Sequence, residues 1–162
     1  KGFQYIAEAL DIERFTMFTF SPIRGRTELL CDYVRDTVRD GKPLKGDPVI
    51  RQKVAQLVTE CEVARLLGVR FVDAALTAGK TPTIEASEYK LYATELSRRL
   101  ADATMDIAGP GTQLALGTED APLKGRAESC YTYTVIDTIG GGSSEVQKNI
   151  IAKRKLDLPK NF

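Results

Sequence analysis

Gly140-Gly141-Gly142-Ser143-Ser144-Glu145-Val146-Gln147-Lys148-Asn149-Ile150-Ile151-Ala152-Lys153-Arg154 is the stretch on which the reading of this chain turns. Three glycines end one segment and a capped helix opens directly after them. Glycine adopts backbone angles closed to other residues and lets a flat ligand approach the main chain. Ser143 or Ser144 supplies an N-cap oxygen, and the first free N–H groups of the new helix point back toward the glycines.

Outward from this run the chain reads as helix throughout. A first helix is expected from about Phe3 to Thr37, with Pro22 as a kink point and Gly25 as a weak point near its middle. The breaker-rich turn from Asp40 to Gly46 follows, and Asp47-Pro48 then combines an N-cap carboxylate with proline at the first helical position. The second helix repeats apolar residues at Ile50, Val54, Leu57, Val58, Cys61, Ala64, Leu67, Phe71 and Ala75, the spacing of a buried stripe, and ends near Gly79-Lys80-Thr81-Pro82.

A third helix is expected from about Ile84 to Ile107, with Leu91, Leu96, Leu100 and Ala103 facing inward, and a fourth from about Pro122 to Ile139. The β-branched run Tyr131–Ile136 has strand propensity, yet nothing else in the chain offers it a partner strand, so it is read as helical. The last helix covers about Ser144 to Lys155. The expected fold class is all-α: an up-down four-helix bundle with an additional short C-terminal helix.

The composition of the 162 residues narrows the function classes. A net charge of +1 gives no electrostatic case for nucleic acid or an anionic membrane surface, and no apolar run approaches a membrane span. The start, Lys1-Gly2-Phe3-Gln4, lacks Met and a signal pattern and reads as a piece of a longer polypeptide. Cys31, Cys61 and Cys130 are odd in number and widely spaced, which favours free thiols in a reducing compartment. Histidine is absent, so carboxylates are left as the proton-transfer groups at neutral pH, and no metal site is expected.

The glycine–serine run resembles the C-terminal signature of the acyl-CoA dehydrogenases. Asp47-Pro48-Val49-Ile50-Arg51-Gln52-Lys53-Val54-Ala55, Glu62-Val63-Ala64-Arg65 and Asp106-Ile107-Ala108-Gly109-Pro110-Gly111 match the same family in order and separation, so the resemblance spans residues 1–162 as its C-terminal helical bundle domain. It implies FAD as cofactor, an acyl-CoA substrate desaturated between its alpha and beta carbons, and an electron-transfer flavoprotein as acceptor. It also implies a homodimer, tetramer or heteromer, in the bacterial cytoplasm or the mitochondrial matrix of a eukaryote. The family's N-terminal helical and middle β domains lie outside this sequence, so the fragment alone is expected to be inactive.

In many members the base is a carboxylate in the loop before the last helix, and the matching position here is Gly141, which cannot remove a proton. A minority place the base on the first long helix of this domain, where Glu13 of Leu10-Asp11-Ile12-Glu13-Arg14-Phe15 matches. The residues point the same way: Ile6, Leu10, Glu13 and Met17 share one helix face, and a carboxylate on such an apolar row must be paired, protonated or functional. Pairing with an Arg of a neighbouring helix, or a partly wet edge, is the alternative. Glu8 and Asp11 lie off the row and read as solvated charges.

For the cofactor, the resemblance points to Gly141, Gly142, Ser143 and Glu145, the last facing ribose or adenine because a diphosphate would repel it. Other family features are missing. Thr37 and Asp40 stand where the family has an Arg and a Phe, Pro48 and Met105 where it has Gln, and Ala108 where it has Gly. Arg35, Arg39 and Arg51 are possible substitutes for the lost diphosphate grip, against an ordinary role as solvated helix charges. Phe15, Phe18 and Phe20 are candidates for a wide acyl pocket, or for core packing. A non-catalytic structural or dimerisation subunit of a heteromeric enzyme is the alternative function.

Overall fold

The computed structural model describes residues 2–17, 20–79 and 81–159. The helices are α1 (Gly2–Met17), α2 (Phe20–Asp36), α3 (Pro48–Ala78), α4 (Thr83–Ala108), α5 (Arg126–Asp137) and α6 (Ser144–Arg154). The all-α bundle holds. The single first helix expected over residues 3–37 is instead described as α1 and α2, and Phe18 between them lies outside the described residues, as does Lys80 of the turn before α4. Pro22 sits in the first turn of α2, where its missing N–H is tolerated.

The breaker-rich turn holds a small antiparallel hairpin, β1 (Val38–Arg39) against β2 (Lys42–Pro43). Asp40 and Gly41 turn it with φ of 50° and 73°, the left-handed pair that a tight Asp-Gly hairpin requires. Asp47 then caps α3, accepting from the Val49 N–H at 2.8 Å and the Ile50 N–H at 3.2 Å. Gly79 ends α3 in the left-handed conformation.

The fourth helix begins later than expected, at Arg126 rather than Pro122. Leu123, Lys124 and Gly125 have φ of 56°, 56° and 73°, a hand that a right-handed helix cannot include. From Arg126 the β-branched run is helical, and of it Tyr131, Tyr133, Val135 and Ile136 face outward.

α4 is the axis of the bundle, in contact with α1, α2, α3, α5 and α6. Its Tyr89, Ala93, Leu96 and Leu100 pack against Leu30 and Val34 of α2 and Leu57, Cys61 and Ala64 of α3. Phe15 of α1 stacks on Phe71 with ring centroids 4.2 Å apart and leans on Tyr89, and Phe20 also packs on this core; the two, both half-buried, also line an open pocket with Val69, Val72 and Leu76. The three cysteines are free, and burial raises the thiols of Cys31 and Cys61. Among the described residues no helix is long and apolar enough to cross a membrane.

Candidate functional site: the glycine turn between α5 and α6

The glycine run forms a left-handed turn, with φ of 65° at Gly141 and 98° at Gly142. A Cβ on Gly142 would lie 2.7 Å from the amide nitrogen of Gln147, a fully buried side chain, so only glycine fits there. Ser143 is the N-cap of α6, its hydroxyl accepting from the Val146 N–H at 3.4 Å. Ser144 instead turns inward and donates to Glu95 at 2.6 Å.

Buried donors pull the turn's carbonyls inward. Arg14 Nε donates to the Gly141 carbonyl at 2.9 Å and Lys90 Nζ to the Gly142 carbonyl at 2.8 Å. Gln147 Nε2 donates to both at 3.1 Å. Among the described residues no peptide bond is cis, and in a planar trans unit the N–H points opposite to the C=O. The Gly142 and Ser143 N–H groups therefore face away from the bundle interior, two adjacent donors on the outer side of the turn.

Glu145 is exposed beside them, and its own backbone N–H, then the Ser143 hydroxyl, hold its carboxyl below the ordinary range. A carboxylate already sits at the helix N-terminus, so the turn suits a hydrogen-bonding ring or hydroxyl better than a diphosphate. The Lys90 ammonium is driven down by burial first and then by the Arg14 charge, against the pull of Asp137, Glu95 and Glu145.

Glu13 is half-buried on α1, and its carboxylate has no hydrogen bond or ion pair among the described residues. Its row differs from expectation. Ile6 is 58% exposed and Leu10 half-buried, while the Met17 side chain lies outside the described residues. The row is a partly wet edge, and no neighbouring arginine pairs with Glu13. The inner face of α1 is instead the one bearing Asp11 and Arg14.

Asp11 corrects the sequence reading outright. It is 5% exposed, ion-paired with Arg14 and accepting from the Thr83 hydroxyl at 2.5 Å. The reason is mutual: Arg14 must bury its guanidinium to reach Gly141, and a buried cation requires a counter-charge one turn away.

The sequence reading passed over Arg14, Lys90 and Gln147. Its available signal was polar spacing on α4: Thr83, Ser87, Lys90, Thr94 and Ser97 recur every three or four residues and are all buried or half-buried. Ser97 closes the row by donating to buried Asp137 at 2.9 Å. At the other end of α4, the exposed Arg39 donates from Nη2 to the Ile107 carbonyl at 2.6 Å, tying β1 to the last turn of α4. Arg35 pairs with Asp32 and Asp36 at the surface, and Arg51 donates to the Lys45 carbonyl.

Comparison with known proteins gives this geometry a lineage. The sequence profile of the acyl-CoA dehydrogenase C-terminal domain matches residues 1–156. The chain is 27% identical to acyl-CoA dehydrogenase FadE26 of Mycobacterium tuberculosis, over 98% of this chain and 40% of that one. It is 31% identical to the acryloyl-CoA reductase (NADH) of Anaerotignum propionicum, over 94% of this chain and 37% of that one. In structure it resembles a chain of the ChsE4-ChsE5 complex from Mycobacterium tuberculosis, with a TM-score of 0.78, 28% identity, and coverage of 89% of this chain and 36% of that one. The chain thus spans about two fifths of the length of these relatives. Members of the family are FAD-dependent flavoproteins, oxidoreductases acting on CH–CH donors. The chain belongs to the acyl-CoA dehydrogenase family, whose C-terminal helical domain it matches along nearly all of its length.

Proposed function

We propose that this chain is the C-terminal domain of an FAD-dependent acyl-CoA dehydrogenase that desaturates an acyl-CoA thioester, with Glu13 as the base that takes the alpha proton. One observation carries the reading. Arg14 is bonded to the Gly141 carbonyl, 127 residues away in sequence, which ties α1, one residue beyond Glu13, to the turn where the usual base is missing. Glu13 is half-buried there with an unengaged carboxylate, as a proton acceptor needs.

The outer side of the turn would hold FAD: Gly142 and Ser143 offer two N–H donors beside glycines that carry no side chain, and Glu145 would take a hydroxyl-bearing part. When bound, FAD supplies the acceptor for the hydride that leaves the beta carbon. The role of Arg14, Lys90 and Gln147 is to hold the turn rigid, so that its donors are preorganised. Electron-transfer flavoprotein is the acceptor in this reading, and the compartment is the bacterial cytoplasm, or the mitochondrial matrix in a eukaryote. The exposed apolar stripe Leu66, Val69, Val72 and Leu76 on α3 supplies the surface for a homodimer, tetramer or heteromer.

The test is Glu13→Gln in the full-length protein. Flavin bleaching on addition of acyl-CoA should fall by about 10²–10⁴-fold, the contribution of a positioned base, with FAD still bound. Undiminished bleaching refutes the assignment. A second reading, a non-catalytic structural or dimerisation subunit, is favoured by Arg39: it is tied to Ile107 while Thr37 and Asp40 replace the residues that grip FAD in the family. A full-length protein that purifies without flavin, alone and with its partner chain, would select it.

A further inference from the structure

A second concave site lies elsewhere on the domain. Between α2, α4, α5 and the loop before α5 is a half-enclosed cavity of about 230 Å³. Its walls are Leu29, Leu100, Ala101, Leu116, Leu123 and Ala127. Leu100 is ten residues beyond Lys90 on α4, about 15 Å along the helix, so the cavity is separate from the glycine turn.

The loop that closes it is wound tightly. Leu123 and Lys124 are left-handed without being glycine, and a Cβ on Gly125 would strike the Ala115 carbonyl oxygen at 2.2 Å. Such angles persist only where the surroundings enforce them, so Leu123 is held in the wall and the cavity is preformed.

Two arginines, half-buried Arg26 and exposed Arg126, are among the residues that line this apolar space. Arg14, Arg24, Arg35, Arg65, Arg70 and Arg99 pair with carboxylates, while Arg39, Arg51, Arg98 and Arg154, none of which lines the cavity, form no ion pair among the described residues. Arg26 and Arg126 pair with none among the described residues; Arg26 donates only from Nε, to the Pro22 carbonyl at 3.2 Å. Glu128, which lines the adjoining groove with Arg26, accepts from the Thr132 hydroxyl at 3.0 Å and forms no ion pair. An apolar volume with two unpaired planar cations is complementary to a chain that ends in a carboxylate.

We propose that this cavity binds a free aliphatic carboxylate, its chain among the leucines and its head on Arg26 and Arg126. A cavity of about 150 Å³ holds a benzene ring, so this one has room for roughly eight carbons. The site does not depend on Glu13 or on the flavin.

Cys130 also lines the cavity, which gives a reporter at the site, with Cys31 outside it as internal control. The full-length protein is alkylated with iodoacetamide and the two thiols are followed by mass spectrometry. Octanoate at about ten times its Kd should slow Cys130 about tenfold and leave Cys31 unchanged. Octan-1-ol should protect about tenfold more weakly, and inorganic phosphate not at all. In Arg26→Gln/Arg126→Gln, and in part in the exposed single variant Arg126→Gln, octanoate should fall to the level of octanol with the far-UV circular dichroism unchanged. Equal protection by octanol or phosphate, protection that survives the double variant, or a Cys130 that is unreactive or unprotected would each overturn the proposal.

Discussion

Arg14 carries the most demanding prediction, because it joins the buried pair on α1 to the glycine turn. Replacement by glutamine leaves Asp11 at 5% exposure with only the Thr83 hydroxyl as partner. Breaking a buried ion pair from one side costs about 3–5 kcal/mol, and the lost charge-assisted bond to Gly141 adds about 1.5–3 kcal/mol. Gln147 still holds the Gly141 carbonyl, so the lower half of the sum is the better guide, about 4.5–6 kcal/mol.

The double variant Asp11→Asn/Arg14→Gln removes both charges and keeps a hydrogen-bonding pair. It should recover about half of that loss, since a neutral pair needs no counter-charge. Urea denaturation of wild type, both single variants and the double variant forms a cycle whose coupling should be 2 kcal/mol or more, within the ~0.5–3 kcal/mol range of contacting residues. A loss below about 1 kcal/mol for Arg14→Gln, or a double variant no milder than the single, would refute the idea that the pair is buried and mutually required.

Two further predictions rest on the same site and its core. Gly142→Ala places a Cβ 2.7 Å from Gln147 Nε2 at φ 98°, so strain of about 1–3 kcal/mol and one or two displaced hydrogen bonds should lower the thermal midpoint by roughly 5–10 °C. A shift under 1 °C by calorimetry would contradict the turn geometry. Tyr89, its phenol pushed up to about 12 by burial, stays protonated in the folded state while the unfolded chain ionises near 10. Its share of stability is thus full below pH 10 and lost as pH rises toward 12, by about 3 kcal/mol in all at 1.36 kcal/mol per unit. Stability compared between wild type and Tyr89→Phe should show this alkaline loss in wild type alone; parallel curves would disprove it.

The bundle was legible because its signals are local. Asp47-Pro48 marks a helix start by capping chemistry that needs no tertiary partner, and the stripe Leu57, Cys61, Ala64 and Phe71 is buried as its spacing requires. Val58, assigned to the same stripe, is 42% exposed, because the stripe is narrower than the apolar set. The late start of α5 was illegible: nothing in Leu123-Lys124 signals a left-handed backbone, which the packed loop imposes from outside.

The glycine turn divides the same way. Sequence alone determined that Gly140–Ser143 would be a turn into a capped helix and that position 141 holds no base, since both follow from which residues stand there. Only tertiary structure decided which face of α1 is buried and what holds the turn. Helical periodicity ranks faces by their apolar content, and the face of α1 that packs here carries the charged pair Asp11 and Arg14 beside Phe15. Asp11 and Arg14 are inside because they meet Thr83 and Gly141, partners 72 and 127 residues away that no local pattern can reveal.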